Sequence, residues 1–224
     1  MVKKKLAHFA ENLTFNHLFQ YSQRETLPDF PLKGKWNSSF FNNENPITLE
    51  LGCGKGEYTV SLAGNHPDRN FIGMDIKGAR LWKGCKMVRE AGLKNVAFIR
   101  SRIEYLNFFF DSNEVDEIWL TFPDPQHNSN RIRRRLTSPQ FLERYRPVLK
   151  PGAVIHLKTD NSNLYHYTLR VIEENGHKLL YHSDDIYMTG EPYDATAIQT
   201  FYEAIFRKDG IPIKYIEFSL KNET

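Results

Sequence analysis

The sequence has few cysteines and no long apolar run. Only Cys53 and Cys85 occur, and neither belongs to a Cys-x-x-Cys or Cys/His ligand spacing. This scarcity argues against a disulfide framework and a structural metal site, so we expect no metal and a reducing, cytoplasmic compartment. No apolar segment approaches the roughly 20 residues of a membrane helix. The basic first residues lack a small-residue cleavage site, so we expect neither a signal peptide nor an anchor.

The composition supports a folded domain with unevenly placed charge. Apolar residues make up 40% of the chain and aromatic residues 13%, which is sufficient for a substantial core. The net charge is only +3, but lysines at positions 3–5 and arginines between 131 and 135 form local clusters. Such clusters say more about a nucleic-acid partner than the total charge does.

After Pro46 the sequence alternates between strand and helix patterns. The predicted strands are Ile47–Leu51, Asn70–Asp75, 96–99, 115–122, 153–158 and 178–182, and the predicted helices are Glu57–Asn65, 77–92, 138–149 and 163–174. A turn at Pro151 and Gly152 is expected to separate the third of these helices from the next strand. Short turns between the elements predict parallel strands with right-handed crossovers, hence a doubly wound α/β sheet.

Both ends of the chain differ from this pattern. Residues 201–207 and 211–220 flank an Asp-Gly turn and are interpreted as two strands of an antiparallel hairpin. The first 45 residues are basic, aromatic and broken by proline, which indicates an N-terminal extension with a short helix near 4–9 and otherwise irregular backbone. We therefore predict an extension at 1–45 and a domain at 46–224. A mostly parallel, seven-stranded sheet ending in a hairpin is the Rossmann-like layout of class I methyltransferases, although fold alone does not give function.

The first strand ends in LELGCGKGEY, a glycine-rich turn with acidic neighbours. Its glycines occupy alternate positions: Gly52, Gly54 and Gly56. The dinucleotide fingerprint needs its third glycine one place later, where this sequence has Glu57. Glu50 at the strand end would repel a pyrophosphate, and Asp75 ends the next strand where ribose hydroxyls are commonly bound. The set favours a cationic ligand such as the sulfonium of S-adenosylmethionine.

The fourth strand runs into Phe122-Pro123-Asp124-Pro125 at the edge where ligands of such sheets bind. Pro125 is expected to restrict Asp124 to extended backbone, and Pro123 to restrict Phe122 in the same way. The sequence thus predicts a stiffly held carboxylate beside the cofactor.

Four arginines follow within five positions: Arg131, Arg133, Arg134 and Arg135. No acidic residue lies between 126 and 140 to balance them, so an anionic partner is expected, although a solvated helix start remains an alternative. Clustered guanidinium groups suit the phosphates of a polyanion. A site for a methyl donor combined with a phosphate-binding arginine cluster indicates methylation of a nucleic acid.

From Ile47 to the C-terminus the sequence resembles the bacterial tRNA (guanine-N7)-methyltransferases. The resemblance rests on LELGCGKG, on FPDP with its basic run, on KTDN at 158–161 and on the T-x-aromatic-E of 200–203. It implies transfer of a methyl group from S-adenosylmethionine to N7 of a variable-loop guanine, position 46, in tRNA. A small-molecule methyltransferase and a catalytically silent RNA-binding protein remain alternatives. The sequence leaves open whether the protein is a monomer or a homodimer.

The resemblance also implies residue roles. Asp124 is the expected catalytic residue. The expected cofactor residues are Glu50, Gly52, Gly54, Gly56, Asp75, Ser101, Arg102 and Asp124, and the expected substrate residues are Asn128, Arg131, Arg133, Arg134, Arg135, Asp160, Thr200 and Glu203. The sequence departs from the family where Gln126 and Asn128 replace the usual Trp and Lys. It departs again where Ser101 stands in place of the carboxylate that commonly follows the third strand.

Overall fold

The structure, a computed structural model, describes residues 2–21, 30–190 and 192–221. Residues 22–29 of the predicted N-terminal extension, with Pro28, lie outside the described residues. The chain divides into two compact units, Met1–Asp111 and Ser112–Thr224. The described residues form eight strands, whereas the predicted sheet has seven.

The described part of unit 1 contains four parallel strands. They are β1 (Leu18–Gln20), β2 (Ile47–Leu51), β3 (Asn70–Asp75) and β4 (Val96–Arg100), in the order β1-β4-β3-β2. The bounds predicted for β2 and β3 are confirmed. Leu51 pairs with Met74, and Asp75 pairs with Arg100. The carboxyl ends of β2, β3 and β4 therefore lie at one edge.

The helices of unit 1 cover this sheet. They are α1 (Val2–Asn12), α2 (Glu57–Asn65), α3 (Gly78–Ala91) and α4 (Leu106–Phe109), with a π-helical turn at Trp36–Phe41 and a 3-10 turn at Ile103–Tyr105. Helix α2 packs on β2, β3 and β4, and α3 packs on β4, α1 and α2. Helix α3 ends as predicted at Gly92, whose φ of +66° suits glycine. Ile72, Phe98 and Ile99 are completely buried in the core.

The described part of the N-terminal segment is more ordered than predicted. The expected helix is present as α1, and its His8 ring stacks on Trp82 of α3 at 3.8 Å. Glu11 accepts hydrogen bonds from Trp82 Nε1 at 2.6 Å and from Arg89 at 2.7 Å. The expectation of otherwise irregular backbone is wrong, because β1 pairs with β4 and Trp36 is completely buried. The boundary at residue 45 stays a prediction.

Unit 2 contains the antiparallel end predicted from the sequence. Its strands are β5 (Val115–Thr121), β6 (Leu149–Thr159), β7 (Lys178–Ser183) and β8 (Lys214–Ser219), in the order β5-β6-β8-β7. Strands β5 and β6 are parallel, and β8 is antiparallel to both β6 and β7. Its helices are α5 (Pro139–Tyr145), α6 (Ser162–Glu174), α7 (Ile186–Thr189), α8 (Tyr193–Ala197) and α9 (Phe201–Lys208), with a 3-10 helix at Ser129–Arg134.

Two predictions for unit 2 are wrong in detail. Residues 201–207 form helix α9 rather than a strand, because Thr200 and Glu203 make a capping box that starts a helix. Strand β8 therefore pairs with β6 and β7 instead of forming a hairpin with its immediate predecessor. Pro151 and Gly152 lie within β6, where the β5–β6 register shifts, and do not end a helix. No helix among the described residues is long and apolar enough to cross a membrane.

Candidate active site

The glycine loop of unit 1 follows β2 directly and opens α2. Gly52, Gly54 and Gly56 have φ values of +81°, +58° and +69°, which side-chain-bearing residues rarely adopt. A Cβ on Gly56 would lie 2.6 Å from the Phe98 ring, whereas a Cβ on Gly54 would have no atom of the described residues within 4 Å. Gly56 is thus required by packing, and Gly54 leaves space beside the backbone.

Glu50 lies at the end of β2 and is 3% exposed. Its Oε2 accepts the backbone N–H of Thr59 at 2.8 Å and also the Thr59 hydroxyl. The carboxylate therefore stabilises the first turn of α2, where a negative charge is favourable. Burial raises the pKa of the Cys53 thiol well above its usual range, and the nearby charges of Glu50 and Asp75 raise it further.

Asp75 connects the glycine loop to the start of α3. Its Oδ2 accepts the Gly54 N–H at 3.0 Å, and its Oδ1 accepts the Lys77 N–H at 2.7 Å. A carboxylate has about four acceptor positions, so two backbone donors leave capacity for ligand hydroxyls. The structure therefore brings together Glu50, the glycines and Asp75, as the sequence predicts.

The residues after β4 lie at the same edge of unit 1. Ser101 is buried, and its backbone N–H donates to the carbonyl of Asp75 at 3.2 Å. Arg102 is exposed, and its Nε lies 4.0 Å from Oε2 of Glu104. The backbone of Ser101 thus connects it to Asp75, another of the predicted cofactor residues.

In unit 2, Asp124 lies in the turn after β5, between two residues with left-handed backbone. The carboxylate is exposed, and its Oδ1 accepts the Gln126 N–H at 2.9 Å. Phe122 and Gln126 have φ values of +47° and +49°. The prediction of extended backbone at Phe122 is therefore wrong, because the turn outweighs the preference imposed by Pro123. Non-glycine residues in this region carry strain, which is typical of functional turns.

The arginine segment forms a short 3-10 helix that begins after Asn128, whose side chain accepts the Asn130 N–H at 3.0 Å. Three of its arginines are exposed: Arg131, Arg133 and Arg134. Arg135 is 8% exposed, donates from Nε to the carbonyl of Pro125 at 2.9 Å and stacks on Tyr167 at 4.4 Å. Arg135 thus supports the Asp124 turn, and we expect that role rather than its predicted contact with substrate, which the structure does not test.

The other predicted substrate residues lie at the end of β6 and the start of α9. Asp160 follows β6 and is half-buried, next to Asn161, which caps α6. Thr200 and Glu203 form the capping box of α9, and the side chain of Glu203 is completely buried. Sequence reasoning missed its partner, Lys158, which lies 2.8 Å away. A lysine within an apolar strand pattern was the available signal.

The described residues contain no group of three or more His, Cys, Asp or Glu side chains that could hold a metal ion. The two cysteines are buried and unpaired. The functional groups of the candidate site are therefore carboxylates that accept hydrogen bonds from backbone amides, together with exposed guanidinium groups.

Comparisons with solved structures show the fold. The crystal structure of the 16S rRNA methyltransferase KamB has a TM-score of 0.65 at 16% identity and covers 89% of this chain and 97% of its own. The 30S ribosomal A1408 methyltransferase from an uncultured bacterium has a TM-score of 0.59 at 16% identity, covering 91% and 98%. The predicted α/β fold of class I methyltransferases is confirmed.

Sequence relatives are much closer. Residues 44–216 match a family model described as "Putative methyltransferase". A tRNA (guanine-N(7)-)-methyltransferase of Christiangramia forsetii is 53% identical over 98% of this chain and 99% of its own length. The protein of the same name from Bacteroides fragilis is 48% identical over 100% of this chain and 88% of its own. The chain belongs to the family of the tRNA (guanine-N(7)-)-methyltransferases.

Proposed function

We propose that this protein methylates N7 of a variable-loop guanine in tRNA, at position 46, with S-adenosylmethionine as the donor. The observation that carries the proposal is the nearly end-to-end alignment with relatives of that name. The geometry of the glycine loop and of the Asp124 turn supports it.

The cofactor is assigned to the edge of unit 1, with Asp124 as a further contact. The residues are Glu50, Gly52, Gly54, Gly56, Asp75, Ser101, Arg102 and Asp124. They fit this ligand, because an acidic loop suits a sulfonium and the open space at Gly54 admits a ligand close to the backbone. Asp75 keeps acceptor capacity for ribose hydroxyls. Bound there, S-adenosylmethionine supplies an electrophilic methyl group.

The catalytic role is assigned to Asp124. Guanine N7 carries a lone pair and no proton, so its methylation needs no general base. The purine gains positive charge during the reaction, and a fixed carboxylate beside the ring stabilises that charge. The turn that holds Asp124 by the Gln126 N–H keeps the carboxylate in one direction. Alignment of N7 with the methyl group supplies most of the remaining acceleration.

The RNA is assigned to side chains of unit 2. Asn128, Arg131, Arg133 and Arg134 contact phosphates, since their side chains are exposed. Asp160 accepts hydrogen bonds from the guanine N1–H and the exocyclic N2 amine, a pair of adjacent donors that adenine does not offer because its N1 carries no proton. The target base leaves its stack to reach these groups, as bases modified by enzymes commonly do. Thr200 and Glu203 shape this site from the start of α9.

The family relatives support neither alternative, a small-molecule methyltransferase or a silent RNA-binding protein. We place the protein in the cytoplasm, with tRNA as its partner and no membrane or metal partner. Buried, unpaired cysteines are consistent with that reducing compartment.

Paired transcripts test the proposal. Unmodified tRNA and the same tRNA with 7-deazaguanine at the variable-loop position are incubated with labelled S-adenosylmethionine. We expect label only in the first transcript, because the second has carbon in place of N7. Equal labelling of both transcripts would exclude N7 of that guanine as the acceptor.

A further inference from the structure

Lys158 has a completely buried side chain. It lies on β6, opposite Thr121 of β5 and Tyr215 of β8. Its Nζ lies 2.8 Å from Oε1 of Glu203, which is also completely buried, and it donates to the carbonyl of Ile198 at 2.9 Å. Burial lowers the pKa of Lys158, and the charge of Glu203 opposes this shift. Lysines are rarely buried, so this position requires an explanation.

The Glu203 carboxylate is enclosed by donors from its own unit. Besides Lys158, its Oε1 accepts the Tyr187 hydroxyl at 2.7 Å, and its Oε2 accepts the Thr200 N–H at 3.2 Å. The guanidinium of Arg207 lies 3.5 Å from the centre of the Tyr187 ring. These contacts direct the carboxylate inward, toward β6.

The backbone of Lys158 reaches the Asp124 turn. Its carbonyl accepts the Phe122 N–H at 2.8 Å, at the residue where φ is +47°. The Phe122 ring lies 5.9 Å from the Lys158 Nζ and 5.9 Å from the ring of Phe206 in α9. One residue therefore contacts the strand end before Asp124 and the start of α9, and Asp160 follows it two positions later.

We propose that Lys158 is a positioning residue of the methyl transfer. Through its ion pair with Glu203, it holds the start of α9 against the strand ends that carry Asp124 and Asp160. Glu203 acts through this pair, because its carboxylate is completely buried and bonded to donors of its own unit. The inference rests on the proposed function and deepens it. Stability is a weak explanation for the pair, because buried ion pairs add little over apolar packing.

Three variants test the inference: Lys158→Met, Glu203→Gln and the double variant. Folding is verified by circular dichroism, and assays are run well below the melting temperature. We expect each single variant to lose about 100-fold in kcat/KM for tRNA, the size of effect that a misplacement of about 1 Å causes. The Kd for S-adenosylmethionine stays within about twofold, since seven of the eight residues assigned to the cofactor lie in unit 1 and only Asp124 lies in unit 2. A purely stabilising pair would move the melting temperature and leave kcat/KM unchanged.

The double variant separates positioning from direct contact. It removes both charges and leaves no unpaired one, so we expect at least tenfold higher kcat/KM than for Glu203→Gln alone. The matched control is Lys150→Met on the same strand, whose exposed Nζ pairs with Asp116 at 2.8 Å. This control is expected to match the wild type.

Two results overturn the inference: single variants with wild-type kcat/KM, or a double variant no better than Glu203→Gln. If Lys158→Met does not fold, Tyr187→Phe replaces it. Loss of the hydroxyl that Glu203 accepts should raise the KM for tRNA about threefold with unchanged cofactor Kd, and an unchanged KM overturns the inference. A wild-type protein without N7 methylation contradicts the proposed function, whereas an active wild type with unaffected variants contradicts this inference alone.

Discussion

The carboxylate of Asp75 and the backbone of Gly54 are joined by a hydrogen bond of 3.0 Å between residues 21 positions apart. The same carboxylate accepts the Lys77 N–H, so it fixes both the glycine loop and the start of α3. A single side chain thus organises the edge of unit 1 to which we assign the cofactor.

Asp75→Asn should weaken cofactor binding about tenfold. The amide keeps one acceptor oxygen, and its NH₂ group then faces the N–H of Gly54 or Lys77, a mismatch of about 1–2 kcal/mol. Titration calorimetry with S-adenosylmethionine measures the Kd. The control is Asp68→Asn, on an exposed turn of the same unit. Equal affinities for the two variants would contradict the role of Asp75.

Alanine at Gly56 and at Gly54 should have different effects. At Gly56 the positive φ and the contact with Phe98 together predict a loss of about 2–4 kcal/mol in the free energy of unfolding. At Gly54 the space is open, so only the positive φ costs about 1 kcal/mol, while the new methyl group obstructs the cofactor. Urea unfolding and calorimetry separate the two effects. Similar unfolding free energies for both variants would show that Phe98 does not impose the glycine at 56.

Asp124→Asn should lower kcat by about 10²–10³-fold, as expected when a group that stabilises developing charge is removed. Asparagine keeps the oxygen that accepts the Gln126 N–H, so the turn should be retained, and saturating ligands remove any loss of affinity from the measured rate. Single-turnover rates at saturating tRNA and cofactor measure the chemical step. Asp116→Asn, at an exposed ion pair with Lys150, serves as the control. Full turnover by Asp124→Asn with normal binding would remove Asp124 from the mechanism.

Arg133→Gln and Arg135→Gln should differ in salt dependence. Arg133 is exposed, so its loss should reduce the slope of log Kd for tRNA against log salt by about 1. Arg135 is buried against Pro125 and Tyr167, so its loss should leave the slope unchanged and lower kcat through the Asp124 turn. Equal changes in slope would show that both arginines contact phosphate.

The two thiols should be inert in the folded protein. Burial raises the pKa of Cys85 to about 12, so at pH 8 roughly one molecule in ten thousand carries the reactive thiolate. The pKa of Cys53 is also raised. We expect no reaction with a disulfide reagent over an hour at pH 8, and two thiols after unfolding in urea. Rapid reaction of the native protein would contradict the burial of these side chains.

The sequence was most informative where local pattern and tertiary structure agree. Strands β2 and β3 are apolar runs ended by glycine or aspartate, and their bounds were predicted correctly. The acidic glycine loop was predicted as a unit because its members follow neighbouring parallel strands. Parallel strand ends necessarily meet at one edge of a sheet.

The predictions from sequence are wrong where a nonlocal contact or a helix cap determines the secondary structure. The aromatic residues of 201–207 suggested a strand, but the capping box of Thr200 and Glu203 starts a helix. Strand β1 is three residues long and exists through its pairing with β4, which no local pattern reveals. The left-handed backbone of Phe122 opposes the preference set by Pro123, and it occurs with a hydrogen bond to Lys158 on the neighbouring strand.

Mapping of the methylated base tests most directly whether the protein methylates N7 of the variable-loop guanine. Unmodified tRNA is incubated with the protein and S-adenosylmethionine, then treated with borohydride and aniline, which break the chain at 7-methylguanosine. We expect scission at the variable-loop guanine, only when protein and cofactor are both present. Incorporation of label without scission at that guanine would contradict methylation at N7.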